Sequence, residues 1–159
     1  MTTVVIGIGN PDRGDDGVGA AVARLLAARL PREIRVNVRA GDIASLLNDW
    51  AGADRAICID ASEPAGSPGR IRRLDLACDS LPASLAPASS HGFGLAETVA
   101  LARALGQAPP RIIVYAIEGL CFDPGAPLSP PVVASVASAA YLITAELRAR
   151  PDGCQTSAA

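Results

Sequence analysis

The feature that most constrains this chain lies near its start, where an apolar run leads into an acidic, glycine-rich turn and then into a helical pattern. Residues 4–19 read VVIGIGNPDRGDDGVG. A buried strand, a tight turn and a helix start are the parts of an α/β unit, and the turn between them is a common position for a binding site. The turn carries Asp12, Asp15 and Asp16 against Arg13 alone, whereas a phosphate-binding loop offers backbone N–H groups and cations. We therefore expect this turn to meet a positively charged group.

Strand and helix patterns alternate along the rest of the chain. Apolar runs predict strands over residues 3–8, 34–39, 56–59, 69–76 and 111–117, and helical patterns cover residues 17–30, 43–50, 94–105 and 129–148. This alternation predicts an α/β fold, with a mostly parallel sheet covered by helices on both faces, in a single domain of residues 1–150. The direction of the strand 69–76 stays open. The Ser-, Pro- and Ala-rich segment 77–93 is longer than a connection requires, so we expect it to have a functional role. We expect the polar tail 151–159 to be disordered.

The composition excludes several functional classes. All 14 basic residues are arginine, so the chain has no lysine for a P-loop or a Schiff base. The net charge of −2 argues against nucleic acid and against an acidic membrane surface as partners. The four cysteines form no CxxC pair, which argues against zinc ribbons and thioredoxin-like motifs. The start has no basic signal-peptide region, and no apolar run approaches the roughly 20 residues of a membrane span. We therefore expect a soluble cytoplasmic protein.

Four ionisable residues fall where ligands bind in open parallel sheets, beyond the carboxyl ends of the strands. They are Asp16 after the first strand, Asp60 after the second buried run, His91 before a helix, and Glu118 after the last strand. Each has an ordinary structural role open to it, such as a helix N-terminus or a turn. Their shared edge nevertheless predicts a site. Asp16, Asp60 and His91 together suit a divalent ion such as zinc, nickel or manganese, and three ligands leave coordination positions open.

Two other kinds of site fit less well. A nucleophile at Ser89 or Ser90 has no G-x-S-x-G elbow, and a serine adjacent to the histidine cannot easily face it. A dinucleotide site fails because Gly7 and Gly9 are followed by Asp12 instead of a third glycine, and because the acidic turn would repel a pyrophosphate.

Four motifs along the chain resemble, in the same order, those of the [NiFe]-hydrogenase maturation endopeptidases. They are the opening GIGNPDRGDDGVG, the strand that ends in Asp60 and Ala61, the segment SSHGFGLAE around His91, and the late stretch GLCFDPGAPLSPPV. The resemblance extends over residues 4–148, nearly the whole chain.

The resemblance implies a three-layer α/β/α sandwich around a twisted, mostly parallel, five-stranded sheet. It implies an endopeptidase that removes a short C-terminal peptide from the precursor of a [NiFe]-hydrogenase large subunit once nickel is in place. The metal-contacting positions of the family correspond to Asp16, Asp60 and His91. The resemblance further implies that the substrate supplies the nickel, and zinc or another divalent ion is the expected substitute in vitro. Gly41 and Asp42 take the place of a Gly-Gly-Thr segment with which many family members recognise their substrate.

The leading hypothesis is therefore a nickel-dependent endopeptidase. Asp16, Asp60 and His91 would hold the substrate's nickel, and the metal, or a water that it activates, would polarise the scissile carbonyl. Asp15 or Glu118 would accept a proton. The alternative is a non-catalytic maturation chaperone of the same fold, which binds nickel or the precursor without cleaving it. A third reading is a metallopeptidase of broad specificity that needs no hydrogenase.

Overall fold

Five strands form one mixed sheet, and a helix lies between each pair of consecutive strands except β3 and β4. The computed structural model describes residues 1–83, 85 and 94–149. The strands are β1 (Thr3–Ile8), β2 (Arg35–Arg39), β3 (Arg55–Ser62), β4 (Ile71–Asp75) and β5 (Arg111–Glu118), and the helices are α1 (Val18–Ala27), α2 (Ile43–Trp50), α3 (Leu95–Ala104) and α4 (Pro130–Arg148). The sheet order is β2-β1-β3-β5-β4, and β4 runs antiparallel to β5 while the other described pairs are parallel. The predicted mostly parallel sheet is confirmed.

Helices cover both faces of the sheet. α1 and α4 share one buried apolar cluster with β1, β3 and β5, and α2 and α3 share a second cluster on the opposite face. β1 and β3 are buried along their whole length. A strand that is covered on both sides has no solvent face, which explains why these two segments are continuous apolar runs in the sequence.

Two predicted boundaries at the carboxyl edge of the sheet were wrong. β3 does not stop before Asp60 but continues to Ser62, because its last residues pair in register with residues 116–118 of β5. Glu118 accordingly ends β5 instead of following it. The first helix also ends earlier than expected, at Ala27 instead of residue 30. The longer strands carry Asp60 and Glu118 on rigid sheet backbone.

Two glycines let α1 begin very close to the sheet. A Cβ on Gly19 would lie 2.5 Å from the carbonyl oxygens of Ile8 and Ile59, and a Cβ on Gly7 would lie 2.2 Å from the carbonyl oxygen of Gly19. These separations are too short for any side chain, so glycine is required at both positions. The approach brings the turn that precedes α1 against the ends of β1 and β3.

One helix of the described ranges, α4, is long and apolar enough to cross a membrane by length and composition, with 19 residues and a mean hydropathy of 1.3. This corrects the expectation that no segment meets that measure. Val132, Ala139 and Ile143 of α4 are fully buried in the cluster that also contains α1 and the sheet. The helix is thus a packed layer of this fold.

Several predicted features lie outside the described residues. They are most of the segment 77–93, including Ser89, Ser90 and His91, and the tail 151–159. What the sequence predicts for these residues stays a prediction.

Candidate active site

The carboxyl ends of the parallel strands bring together three of the four ionisable residues expected there. Asp16 lies in a single 3-10 turn, Gly14–Gly17, between β1 and α1. Asp60 lies near the end of β3, and Glu118 is the last residue of β5. β1, β3 and β5 are parallel neighbours, so all three side chains belong to one edge of the sheet. The fourth residue, His91, lies outside the described part of the chain.

The Asp16 carboxylate is buried and incompletely hydrogen-bonded. The residue is 2% exposed, and its Oδ2 accepts one hydrogen bond from the backbone N–H of Asn10, at 2.8 Å. Its Oδ1 is buried and has no hydrogen-bond partner among the described residues. Burial raises the pKa of this carboxyl, and the Asn10 N–H and the charge of Arg13 only partly oppose that effect. A buried oxygen of this kind is suited to a ligand that brings positive charge.

Gly9 gives this carboxylate its space. The glycine has a φ of +127°, which L side chains rarely adopt. A Cβ at this position would lie 2.1 Å from the Asp16 carbonyl oxygen and 3.0 Å from Asp16 Oδ1. Glycine at position 9 of the opening motif therefore allows the acidic turn to lie close to the end of β1.

Asp60 is the second buried carboxylate of this edge. It is 5% exposed, and its Oδ1 accepts a hydrogen bond from the N–H of Ala61 at 2.9 Å. The pKa of Asp60 is raised well above its usual range, first by burial and second by the negative charge of Asp16. The two carboxylates are thus close enough to repel each other in a poorly solvated place. A divalent cation is the group that would offset both effects.

The complete predicted trio is not described. Within residues 1–83, 85 and 94–149, no group of three His, Cys, Asp or Glu is arranged to hold a metal ion. Asp16 and Asp60 form an acidic pair, and the role of His91 as their partner stays a prediction. Two oxygen donors with a third position to be filled remain compatible with the predicted O₂N ligand set.

Asp15, the neighbour of Asp16, has a very different environment. It is fully buried, and four groups donate to it: the N–H groups of Leu120, Cys121 and Ser129, at 2.7, 3.0 and 2.7 Å, and the Ser129 hydroxyl at 2.7 Å. Burial by itself would raise the pKa of Asp15, but these donors favour the charged form so strongly that the pKa is lowered. Its carboxylate joins the acidic turn to the segment between β5 and α4.

Ser129 was missed as a residue of this site. Its position before Pro130 predicts an N-cap, and Ser129 does occupy the N-cap of α4. The hydroxyl makes no capping bond, however, because it donates to Asp15 instead. The Ser-Pro pair signals where the helix starts, but nothing in the local sequence signals a partner 114 positions away.

Glu118 also holds a loop. It is 5% exposed, and its Oε1 accepts hydrogen bonds from the N–H groups of Ala65 and Ser67, each at 2.7 Å. The backbone of Glu118 continues this contact, since its carbonyl accepts from Gly69 and its N–H donates to Arg70. The residue therefore fixes the segment that follows β3 at the same edge as the acidic pair.

The predicted recognition residues Gly41 and Asp42 follow β2 at this edge. Gly41 has a φ of +103°, and a Cβ there would lie 3.2 Å from the side chain of Ile8. Asp42 is the N-cap of α2, where its Oδ2 accepts from the Ser45 N–H at 2.9 Å, and this bond holds its pKa below the usual value. Both residues have structural roles at the position where recognition is predicted.

Comparison with known proteins identifies relatives of this chain. A family model, HycI, described as hydrogenase maturation protease, matches residues 22–146. The hydrogenase 2 maturation protease of Escherichia coli K12 is 28% identical over 152 residues, which cover 93% of this chain and 92% of that protein. The hydrogenase expression/formation protein HupD of Bradyrhizobium diazoefficiens is 30% identical over 134 residues, which cover 81% of this chain and 69% of that protein.

Solved structures give the same result for the fold. The hydrogenase maturating endopeptidase HybD from Escherichia coli matches with a TM-score of 0.74 and 26% identity, over 93% of each chain. The [NiFe] hydrogenase maturation protease HybD from Thermococcus kodakarensis matches with a TM-score of 0.71 and 27% identity, over 92% of this chain and 99% of that one. Each likeness therefore covers more than nine tenths of this chain.

Proposed function

This chain belongs to the hydrogenase maturation protease family, and from that premise we propose that it removes a C-terminal peptide from the nickel-loaded large subunit of a [NiFe]-hydrogenase. Its relatives are named as maturation proteases and endopeptidases, so the chain is an endopeptidase of hydrogenase maturation. The nickel-loaded precursor as substrate, the nickel contact and the cytoplasmic location are the parts that we add.

The observation that carries the proposal is the buried acidic pair. Asp16 has an oxygen with no hydrogen-bond partner among the described residues, and burial together with Asp16 disfavours the charge on Asp60. An edge that is built in this way becomes more favourable when a cation enters it. A precursor that already carries nickel supplies such a cation, whereas one without nickel does not. The pair can therefore act as a reader of the metal state of the substrate.

The proposed mechanism assigns each residue one task. Asp16 and Asp60, with His91 as the third ligand, would hold the substrate's nickel, which would supply Lewis-acid polarisation of the scissile carbonyl. A water oxygen adds to the peptide carbonyl carbon, the C–N bond breaks, and the leaving amine takes the proton that the water has given up. Glu118, on rigid strand backbone at the same edge, is the proposed acceptor of the proton that the water gives up.

Gly41 and Asp42 are proposed to contact the precursor. They lie on the loop that follows β2, where Gly41 is beside Ile8 and hence beside the turn that carries Asp16. The cap that Asp42 provides to α2 would keep this loop in one conformation.

The test is a cleavage assay on a purified large-subunit precursor, loaded with nickel or left without it, with loss of the tail followed by mass spectrometry. We expect cleavage only of the loaded precursor, and a loss of at least about 100-fold in rate for Asp16→Asn and His91→Ala, the scale on which catalytic groups act. Asp12→Asn is the matched control, since Asp12 is an exposed acid of the same turn.

Other outcomes would contradict the proposed site or favour another function. Variants of Asp16 and His91 that cleave as fast as the wild type would show that the site is elsewhere. Calorimetric binding of the precursor without any change in its mass would favour the chaperone. Cleavage of generic peptides with added zinc would favour a metallopeptidase of broad specificity.

A further inference from the structure

The carboxylate of Asp15 connects two segments that are distant in sequence. Three of its four donors are backbone N–H groups, on Leu120, Cys121 and Ser129. These residues lie 105 to 114 positions after Asp15 in the chain. Because the residue is fully buried and both oxygens accept bonds, the carboxylate is enclosed by the protein itself. A substrate proton has no evident path to it.

Backbone bonds run between the same two segments. Asp15 N–H donates to the Cys121 carbonyl at 2.8 Å, Gly14 N–H donates to the Ala126 carbonyl at 3.1 Å, and Gly125 N–H donates to the Asp12 carbonyl at 2.7 Å. Gly14 has a φ of +54°, and a Cβ on it would lie 2.3 Å from the Cys121 carbonyl oxygen. The acidic turn and residues 119–129 therefore form one closely packed unit.

Asp16 is the next residue of this same turn and has little else to orient it. Its side chain accepts a single bond, from the Asn10 N–H, and its own N–H donates to the Arg13 carbonyl within the turn. The position of its carboxylate thus depends on where the backbone of the turn is held. Asp15 supplies most of the bonds that hold it.

We propose that Asp15 is a positioning residue: it anchors the acidic turn to residues 119–129 and thereby aims the Asp16 carboxylate at the place where the substrate's nickel binds. This inference rests on the proposed function and deepens it. Asp15 is thus assigned to the positioning of Asp16 and not to the acceptance of a proton, which the sequence had left open for it. An error of about 1 Å in a group that orients a reacting centre can reduce the rate about 100-fold.

Two variants of graded severity test this role in the cleavage assay. Ser129→Ala removes the one hydroxyl donor and leaves the three backbone donors, so we expect a loss of kcat of several fold. Asp15→Asn places an amide against the converging N–H groups, and we expect a loss of about 100-fold in kcat with KM for the precursor changed less than about threefold. The shape of the pH–rate profile is expected to stay that of the wild type, because Asp15 transfers no proton.

Asp75→Asn is the matched control for lost stability. Asp75 is also a buried carboxylate, 6% exposed, which accepts bonds from Arg111 and Ala77. It pairs with Ile113 near the start of β5, at the opposite edge from the acidic pair. We expect this variant to lose stability and to retain wild-type kcat under conditions where every variant is folded, as monitored by the fluorescence of the buried Trp50.

Hydrogen exchange gives a readout that needs no activity. The Asn10 N–H bonds to Asp16 and not to Asp15, so its exchange reports the position of Asp16. In Asp15→Asn we expect at least tenfold faster exchange at Asn10, as well as at the three amides that bond to Asp15, and no change there in Asp75→Asn.

The outcomes separate this inference from the function on which it rests. A folded Asp15→Asn protein with wild-type kcat and unchanged exchange at Asn10 would overturn the positioning role alone. Loss of one limb of the pH–rate profile would also overturn it, since that is the mark of a proton acceptor. A wild-type protein that leaves the loaded precursor intact would overturn the proposed function, while exchange at Asn10 would still show whether Asp15 positions Asp16.

Discussion

Asp15 and Asp16 are adjacent, identical in chemistry and equally buried, yet their surroundings act on them in opposite directions. Asp15 is 0% exposed and receives four donors, and its pKa is lowered. Asp16 is 2% exposed and receives one donor from the described residues, and its pKa is raised. Burial alone therefore does not decide what a carboxylate does. The number of donors aimed at it decides whether the negative charge is already stabilised or still available to a cation.

The difference extends to the regions around the two residues. The segment between β5 and α4 turns three N–H groups inwards, on Leu120, Cys121 and Ser129, and Asp15 accepts a hydrogen bond from each. The ends of β1 and β3 use their N–H groups mostly in the sheet, so Asp16 and Asp60 obtain one backbone donor each. One side of the turn is stabilised by these hydrogen bonds, and on the other side Asp16 Oδ1 has no hydrogen-bond partner among the described residues. Natural active sites commonly show this division, at a cost in stability.

Replacement of Asp15 by alanine is the strongest test of the stabilising side. Asp15→Ala leaves three buried N–H groups without their acceptor, so we expect the free energy of unfolding to fall by about 3–5 kcal/mol. This loss of stability is measured by urea denaturation, monitored through the fluorescence of Trp50, the single tryptophan. Asp12→Ala, at an exposed position of the same turn, should change stability by no more than about 0.5 kcal/mol. A loss below about 1 kcal/mol for Asp15→Ala would contradict the contrast between the two aspartates.

Removal of the charge of Asp60 should change the free energy of unfolding in the opposite direction. Asp60→Asn keeps an oxygen that can accept from Ala61 and removes the repulsion with Asp16, so we expect the metal-free protein to gain about 1–2 kcal/mol at neutral pH. The same variant should lose cleavage of the loaded precursor. Destabilisation by Asp60→Asn, measured by the same urea titration in the presence of a chelator, would show that the acidic pair is stabilised by contacts other than those described.

The pH dependence of unfolding separates the two sides without a change of residue type. Asp60 has a folded pKa above its ordinary 3.8, so its stabilising contribution is present below that value and is lost as pH rises through the folded pKa. Asp15 has a folded pKa below 3.8, so its contribution is present above that value and is lost as pH falls through the folded pKa. Between pH 3.8 and neutral pH, the difference in the free energy of unfolding between the wild type and Asp60→Asn should therefore shrink on acidification. The corresponding difference between the wild type and Asp15→Asn should stay constant.

Much of this edge could be predicted from the sequence because it follows from periodicity and topology. The apolar runs place strands, parallel strands share a carboxyl edge, and so Asp16, Asp60 and Glu118 were expected together. The end of β3 was placed too early because an aspartate in an apolar run resembles a stop, although pairing with β5 continues the strand. A pairing partner 56 residues away leaves no local trace in the sequence.

The division between Asp15 and Asp16 could not be predicted for a related reason. The groups that distinguish the two are mostly backbone N–H donors of Leu120, Cys121 and Ser129, and every residue other than proline carries the same donor. The sequence shows a run of two aspartates, whereas the fold determines which of them the distant segment reaches. His91 stays a prediction from sequence, since the described residues do not include it.

Glu118 gives the comparison its smallest and most discriminating test, because it combines features of both aspartates. One oxygen accepts hydrogen bonds from two loop N–H groups, as in Asp15, yet the residue lies at the edge of the proposed site and is the proposed proton acceptor. A glutamine oxygen can accept the same two bonds, so Glu118→Gln should change the free energy of unfolding by no more than about 0.5 kcal/mol. An amide cannot take up the proton of a water at neutral pH, so kcat should nevertheless fall at least about 100-fold. Wild-type kcat in Glu118→Gln, together with lost stability in Glu118→Ala, would instead show that Glu118, like Asp15, holds a loop in place and takes no part in proton transfer.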